Sequence, residues 1–158
     1  MAAFLYLCLS SRPFVLRFDD GRVVDCRNCS RSGTSIDSDL CAHKAEVEPD
    51  ADLKFIVVIE KKCVYTRVCE DKLWNLIPCL VVSTQGCPPD MLTRLFLNKI
   101  SQKTQATLVL LTDWDTSGLQ MYLTYRLGAT KTLHQNAELT TDMKWLGLRS
   151  VHVERYVV

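Results

Sequence analysis

The sequence has no surplus of either charge. Its 158 residues carry 19 basic and 18 acidic side chains, a formal net charge of +1. That balance excludes a strongly basic arm that binds nucleic acid by bulk charge alone. Any nucleic-acid binding must be local, or shared with another chain. Long apolar runs are also missing: no stretch approaches the roughly 18–20 residues of a membrane span, so a membrane is not among the expected partners. The apolar start Ala2-Ala3-Phe4-Leu5-Tyr6-Leu7-Cys8-Leu9 lacks a basic region before it, and Ser10-Ser11-Arg12-Pro13 is a poor cleavage site. It reads as a buried strand or the stub of an upstream element rather than a signal peptide. Internal repeats and low-complexity tracts are absent as well.

What is present is an ordinary globular composition, 47% hydrophobic and 23% charged, which excludes disorder of the whole chain. The length suits one domain with a core that needs no disulfide or metal staple. Eight cysteines tempt a disulfide reading. However, Cys63, Cys69 and Cys79 sit inside apolar runs, where free cysteine behaves as a small hydrophobe. Reduced thiols and an intracellular home are therefore expected. Cys26, Cys29, Cys41 and His43 offer four zinc ligands by residue type, but Cys-x-His is too tight for the usual knuckle. A thioredoxin-like redox pair should open a helix after a buried strand, whereas Cys26-Arg27-Asn28-Cys29 lies in a polar stretch.

The chain reads in two segments. In residues 1–50, Phe14-Val15-Leu16-Arg17-Phe18 and Arg22-Val23-Val24-Asp25 flank Asp19-Asp20-Gly21 as a hairpin. A polar loop or linker follows over residues 26–50. In residues 51–158 the pattern changes. Phe55-Ile56-Val57-Val58-Ile59, Cys79-Leu80-Val81-Val82 and Thr107-Leu108-Val109-Leu110-Leu111 are continuous apolar runs, suited to strands buried on both faces of a parallel sheet. Between and after them, three helical stripes recur. The first holds Val64, Tyr65, Val68 and Cys69. The second holds Leu92, Leu95, Phe96 and Ile100, with Asp90 as N-cap. The third holds Leu119, Tyr122, Leu123 and Leu127, ended by Gly128. Strands alternating with helices predict an α/β fold with a mostly parallel sheet flanked by helices, preceded by the short β-hairpin segment.

Sites in open α/β sheets lie at the carboxyl ends of strands. The first strand ends at Glu60 and the third at Asp113-Trp114-Asp115. In extended backbone, side chains at i and i+2 share a face. Asp113 and Asp115 therefore face one point, with Trp114 turned toward packing. If the first and third strands are neighbours, Glu60 joins them. Three close carboxylates need a proton or a cation at neutral pH. Oxygen donors without His or Cys suit Mg²⁺, and such sites usually serve phosphoryl transfer. A lone D-x-D is otherwise a common turn or cap.

The wording of these motifs resembles the Toprim domain shared by the meiotic double-strand-break protein of eukaryotes and its relative, the topoisomerase VI A subunit. Val58-Ile59-Glu60-Lys61-Lys62-Cys63 resembles the family's V-V-E-K-D-A. Ile77-Pro78-Cys79 and Ser83 to Asp90 resemble I-P-C and T-G-K-G-x-P-D. Thr93-Arg94, Asp113 to Gly118, Tyr125 to Ala129 and Trp145-Leu146-Gly147-Leu148 follow in the family's order. The resemblance covers roughly residues 18–150 and implies a Toprim (Rossmann-like) fold. It implies a type IIB DNA topoisomerase-like activity, in which a tyrosine on a separate domain breaks both DNA strands by transesterification. It also implies Glu60, Asp113 and Asp115 as Mg²⁺ ligands, with Lys61, Gly86 and Arg94 as DNA-binding residues. The implied partners are double-stranded DNA, a second copy in a homodimer and an ATPase B-type subunit. A nuclear location is expected if the source is eukaryotic, and a cytoplasmic one otherwise.

Several positions depart from the family pattern. The proline and aromatic after the acidic pair are Thr116 and Ser117, the glycine-lysine of T-G-K-G is Thr84-Gln85, and Pro88-Pro89 holds an extra proline. No tyrosine lies in the expected nucleophile context: Tyr6 has no arginine upstream, and Tyr65, Tyr122, Tyr125 and Tyr156 fall in or after the Toprim region. The chain thus reads as a fragment, a truncated gene model or a reduced paralogue, its Toprim domain of residues 51–158 expected to be cut short at the C-terminus, with no catalytic tyrosine and no cleavage expected from it alone. Two further readings stand beside this one. One is a non-catalytic DNA-binding or dimerisation module that keeps the fold; the other is a stand-alone Toprim nuclease using a metal-activated water. His134 and His152 fall outside the predicted crevice.

Overall fold

The structure, a computed structural model, describes residues 5–8, 15–18, 21, 23–25, 34–36, 45–48, 53–86, 88–128 and 139–155. Its centre is a parallel sheet. Strand β6 (Phe55–Ile59) lies between β7 (Cys79–Ser83) and β8 (Thr107–Leu111), parallel to both. All five residues of β7 and four of the five in β6 are buried, as continuous β-branched and aliphatic runs require when both sheet faces are covered.

Alternate residues of these strands feed two cores. On one face, Ile56, Val58, Leu80, Val82, Leu108 and Leu110 pack with Phe96, Leu97 and Ile100 of α2 (Met91–Thr104) and with Met121 and Tyr125 of α3 (Thr116–Leu127). On the other, Val57, Ile59, Cys79 and Val81 pack with Tyr65 and Cys69 of α1 (Lys62–Glu70). A 3-10 turn, Leu73–Asn75, closes that side before β7. Helix α2 starts where the sequence places its cap: the Asp90 side chain accepts from Thr93 N at 2.7 Å.

Elements beyond those expected complete the sheet. β9 (Lys144–Gly147) pairs in parallel with β8, with a register shift between Leu110 and Leu111, and the short helix α4 (Ser150–Glu154) follows. On the opposite side, β1 (Leu5–Cys8) pairs antiparallel with β7 and with β4 (Thr34–Ile36). The six-strand order is β4-β1-β7-β6-β8-β9. The expected hairpin forms from β2 (Val15–Phe18) and β3 (Val23–Asp25), with Gly21 in the left-handed region at φ 85°. β5 (Ala45–Glu48) joins β2 to make a separate antiparallel sheet, β3-β2-β5.

Two expectations need correction. Residues 26–50 are not all loop, because β4 and β5 lie within them. Both are short strands at a sheet edge, held by backbone pairing, so they carry little side-chain periodicity. The second correction concerns the helix at 116–127, which forms but turns its other face inward. Gly118, Met121 and Tyr125 are buried, while Leu119, Leu123 and Leu127 are exposed. The helix carries apolar residues at helical spacing on two faces, and only packing decides between them. Among the described cysteines, Cys69 and Cys79 are buried as expected, but Cys63 is exposed at the start of α1. Burial pushes the Cys79 thiol up to about 11. Cys26, Cys29, Cys41 and His43, the zinc candidates, lie outside the described residues, as does His134.

Candidate functional site

Three backbone segments meet at the carboxyl ends of β6, β7 and β8. β6 and β8 run in register, with Ile59 opposite Leu111, so Glu60 leaves its strand beside Thr112 and Asp113. Glu60 N donates to the Leu111 carbonyl at 3.1 Å, and the Glu60 carbonyl accepts from Gly86 N at 2.7 Å. Gly86 thereby ties the loop after β7 to the glutamate. It takes φ 80°, and a Cβ there would meet nothing within 4 Å, so its role is backbone conformation rather than space. Gln85 before it also has positive φ, and its backbone N donates to Ser83 Oγ at 3.1 Å.

Glu60 is 6% exposed, and its Oε2 has no hydrogen-bond partner. Burial lifts its carboxyl above the ordinary value. The backbone amide of Asp113 opposes that lift, the charges of Asp115 and Asp113 add to it, and Lys61 opposes it. The adjacent-strand arrangement expected from the sequence therefore does bring Glu60, Asp113 and Asp115 within electrostatic reach of one another.

Each aspartate is nevertheless engaged elsewhere. Asp113 Oδ2 lies 2.7 Å from Lys61 Nζ. That hydrogen bond holds the Lys61 ammonium above its ordinary value. Asp115 is the N-cap of α3, its Oδ1 accepting from Gly118 N at 2.6 Å. Consequently, among the described residues no three His, Cys, Asp or Glu side chains are gathered closely enough to hold a metal ion. A shallow cleft of about 130 Å³ runs beside the ion pair, lined by Ile59, Val64, Leu111, Thr112 and Leu148 together with Lys61 and Asp113.

Gly118 is what lets α3 begin so close to β8. A Cβ at this position would stand 2.5 Å from the Asp113 carbonyl oxygen and 2.9 Å from Thr112 Oγ1. This requirement and the Lys61–Asp113 pair were both missed from sequence. The spacing Asp115-Thr116-Ser117-Gly118, a capping residue three places before an amide it can reach, is the signal that was available.

The other expected residues divide. Lys61 and Gly86 sit at the site. Arg94 does not present its charge to solvent. It is 2% exposed, with Nε 3.4 Å from the Asp90 carbonyl and Nη1 3.5 Å from the Leu139 carbonyl. Burial lowers its pKa from the ordinary arginine value. In this structure it braces the start of α2 against residue 139. Trp114, expected to turn toward packing, stacks on Trp145 at 5.5 Å between centroids but stays 51% exposed. Tyr65 and Tyr125 are buried in the two cores. His152 accepts from Arg149 N through Nδ1.

Comparison with known proteins follows the same residues. The family model for the Toprim domain of Spo11 and the topoisomerase 6 A subunit matches residues 55–158. The A subunit of DNA topoisomerase 6 from Arabidopsis thaliana is 33% identical over 141 residues, covering 89% of this chain and 32% of that protein. The meiotic recombination protein SPO11-2 of Oryza sativa subsp. indica is 31% identical over 136 residues, 85% of this chain and 35% of its own length. The A subunit of type 2 DNA topoisomerase 6 from Aeropyrum pernix is 26% identical over 152 residues, 90% of this chain and 39% of that protein. The chain thus spans about a third of the length of the curated relatives it matches.

Proposed function

The chain belongs to the Toprim family of Spo11 and the topoisomerase 6 A subunit, and from that premise we propose that it is the Mg²⁺-binding portion of a protein that breaks both strands of DNA by tyrosyl transesterification. The observation that carries this reading is the placement of Glu60, Asp113 and Asp115 at the ends of adjacent parallel strands, with a buried Glu60 oxygen left without a partner. The donor set fits a hard cation: carboxylate oxygens with no His or Cys among them. The electrostatics fit as well: burial first, and then the charges of Asp115 and Asp113, raise Glu60, and a cation would offset both. Glu60, Asp113 and Asp115 would hold Mg²⁺, which when bound stabilises charge developing on a phosphate.

The chain's own groups divide the remaining work. Lys61 offers a positive charge beside the site, and Gly86 allows close backbone approach. Among the described tyrosines, Tyr65 and Tyr125 are buried, and Tyr122 packs on Trp145 and accepts from Arg126; the covalent step would use a tyrosine from another domain or chain. Double-stranded DNA, a second copy, a B-type ATPase partner and a nuclear address in a eukaryote belong to the same proposal. No helix among the described residues is long and apolar enough to cross a membrane.

The test is an NMR titration of the folded chain with Mg²⁺, on wild type and on Asp113→Asn/Asp115→Asn. The expected result is saturable shifts at Glu60, Asp113 and Asp115 that vanish in the double variant. A folded wild type with no saturable shift would overturn the reading. That outcome would favour the alternative, a non-catalytic DNA-binding or dimerisation module. The alternative draws on the same site: Asp113 is paired with Lys61 and Asp115 caps a helix, so each aspartate already has a partner within the chain.

A further inference from the structure

We propose that Lys61 is a resident counter-ion of the carboxylate site, holding Asp113 until a divalent cation takes that aspartate and frees the ammonium for a DNA phosphate. The proposal rests on the cation-binding reading above and adds a coupling to it: one lysine would make cation binding and phosphate binding favour each other.

The geometry is specific. Lys61 follows Glu60 directly, and its backbone is fixed at both ends. On one side is the in-register end of β6; on the other, the Lys61 carbonyl accepts from Tyr65 N at 3.0 Å as α1 begins. From that anchor, the side chain reaches across to Asp113 at 2.7 Å. Both partners keep substantial exposure, 49% and 39% of their side chains. A buried pair would resist exchange, because breaking it strands an uncompensated charge. An exposed pair shifts an equilibrium by no more than about fivefold, so a divalent cation can displace it. The pair also explains why residues of the right chemistry are not gathered as a ligand set: one of the three is turned to Lys61.

Displacement leaves a half-exposed ammonium on a short tether beside the site. Lysine binds phosphate as a flexible point charge, which suits a group that must serve two partners in turn. Because binding linkage is reciprocal, DNA that holds Lys61 must also raise the affinity of the site for the cation.

The experiment uses the folded chain as wild type, Lys61→Met and Lys62→Met. Mg²⁺ affinity is read by calorimetry, the lysine side-chain ammonium signals by NMR, and binding to a short DNA duplex by fluorescence anisotropy at fixed ionic strength with and without Mg²⁺. Lys61→Met is expected to bind Mg²⁺ about two- to fivefold more tightly than wild type. Lys62→Met removes the same charge one residue further on and is expected to change less. In wild type, Mg²⁺ should shift the Lys61 ammonium signal and favour duplex binding relative to Lys61→Met. Equal or weaker Mg²⁺ binding by Lys61→Met, with wild type binding normally, overturns the counter-ion role and leaves the cation site standing. An ammonium signal unmoved by saturating Mg²⁺ overturns it equally. No Mg²⁺ binding by either protein overturns both the site and the coupling built on it.

Discussion

Replacing Gly118 with alanine tests the central geometric claim, that the carboxylate loop depends on a close approach between α3 and the end of β8. The new Cβ would lie 2.5 Å from the Asp113 carbonyl oxygen, 2.9 Å from Thr112 Oγ1 and 3.0 Å from Thr112 Cβ. Two of those atoms belong to the Thr112 side chain, which is buried. The third is backbone and cannot rotate away. Relief therefore requires α3 or the Asp113 peptide to move by several tenths of an ångström. Overpacking of this kind costs about 1–3 kcal/mol. Against it stands alanine's better helix propensity, about 0.5–1 kcal/mol. The net expectation is a loss of up to about 2.5 kcal/mol, or up to about 10 °C in Tm for a chain of this size. The same movement would shift the Asp113 amide that faces Glu60 and loosen the Asp115 cap on Gly118. Urea denaturation measures the first effect; amide chemical shifts of Asp113 and Gly118, with a Mg²⁺ titration, measure the second. A Gly118→Ala protein as stable as wild type, with unmoved amide shifts at residues 112–118, would refute the reasoning.

Three further outcomes follow from the same structure. Asp90→Ala removes the acceptor for Thr93 N and should cost about 1 kcal/mol, seen as a lower urea midpoint with unchanged slope. Glu60→Gln should stabilise the cation-free fold at neutral pH. The Glu60 pKa is raised on folding, so its contribution is full at pH values below the unfolded glutamate range and is lost as pH rises through the folded value; urea midpoints across that range should fall for wild type and not for the variant. Arg94→Ala should destabilise by roughly 2–4 kcal/mol, because it leaves a cavity and strips the buried Leu139 carbonyl of a donor. A variant that folds like wild type yet loses duplex binding would return Arg94 to the DNA interface.

The sequence was most informative where one physical pattern had one solution. The runs at 55–59, 79–82 and 107–111 are too short for helices and read as strands; the first two are buried on both faces, while the third is buried at alternate residues and half-buried at Thr107, Val109 and Leu111. Asp90 before an apolar stripe, and Gly21 in a tight turn, likewise had single readings. Legibility failed where two solutions were equally good locally. Helix α3 has apolar residues on two faces, and the buried one is chosen by Gly118, whose missing side chain permits contact with the Asp113 backbone. Strands β4 and β5 are held by backbone pairing to partners distant in sequence, which leaves no side-chain signature.

The candidate site divides in the same way. The identities of Glu60, Asp113 and Asp115 and their positions at strand ends were legible along the chain, because strand termini and the two-residue period of extended chain are local properties. That β6 and β8 are neighbours, so that the three carboxylates feel one another, depended on the sheet order. So did the partners each one takes. Lys61 reaches the sequence-distant Asp113 only because two parallel strands end side by side, and Arg94 is buried only because residue 139 returns over α2. Side-chain chemistry is written along the chain, whereas burial and pairing are set by which distant segments the fold brings into contact.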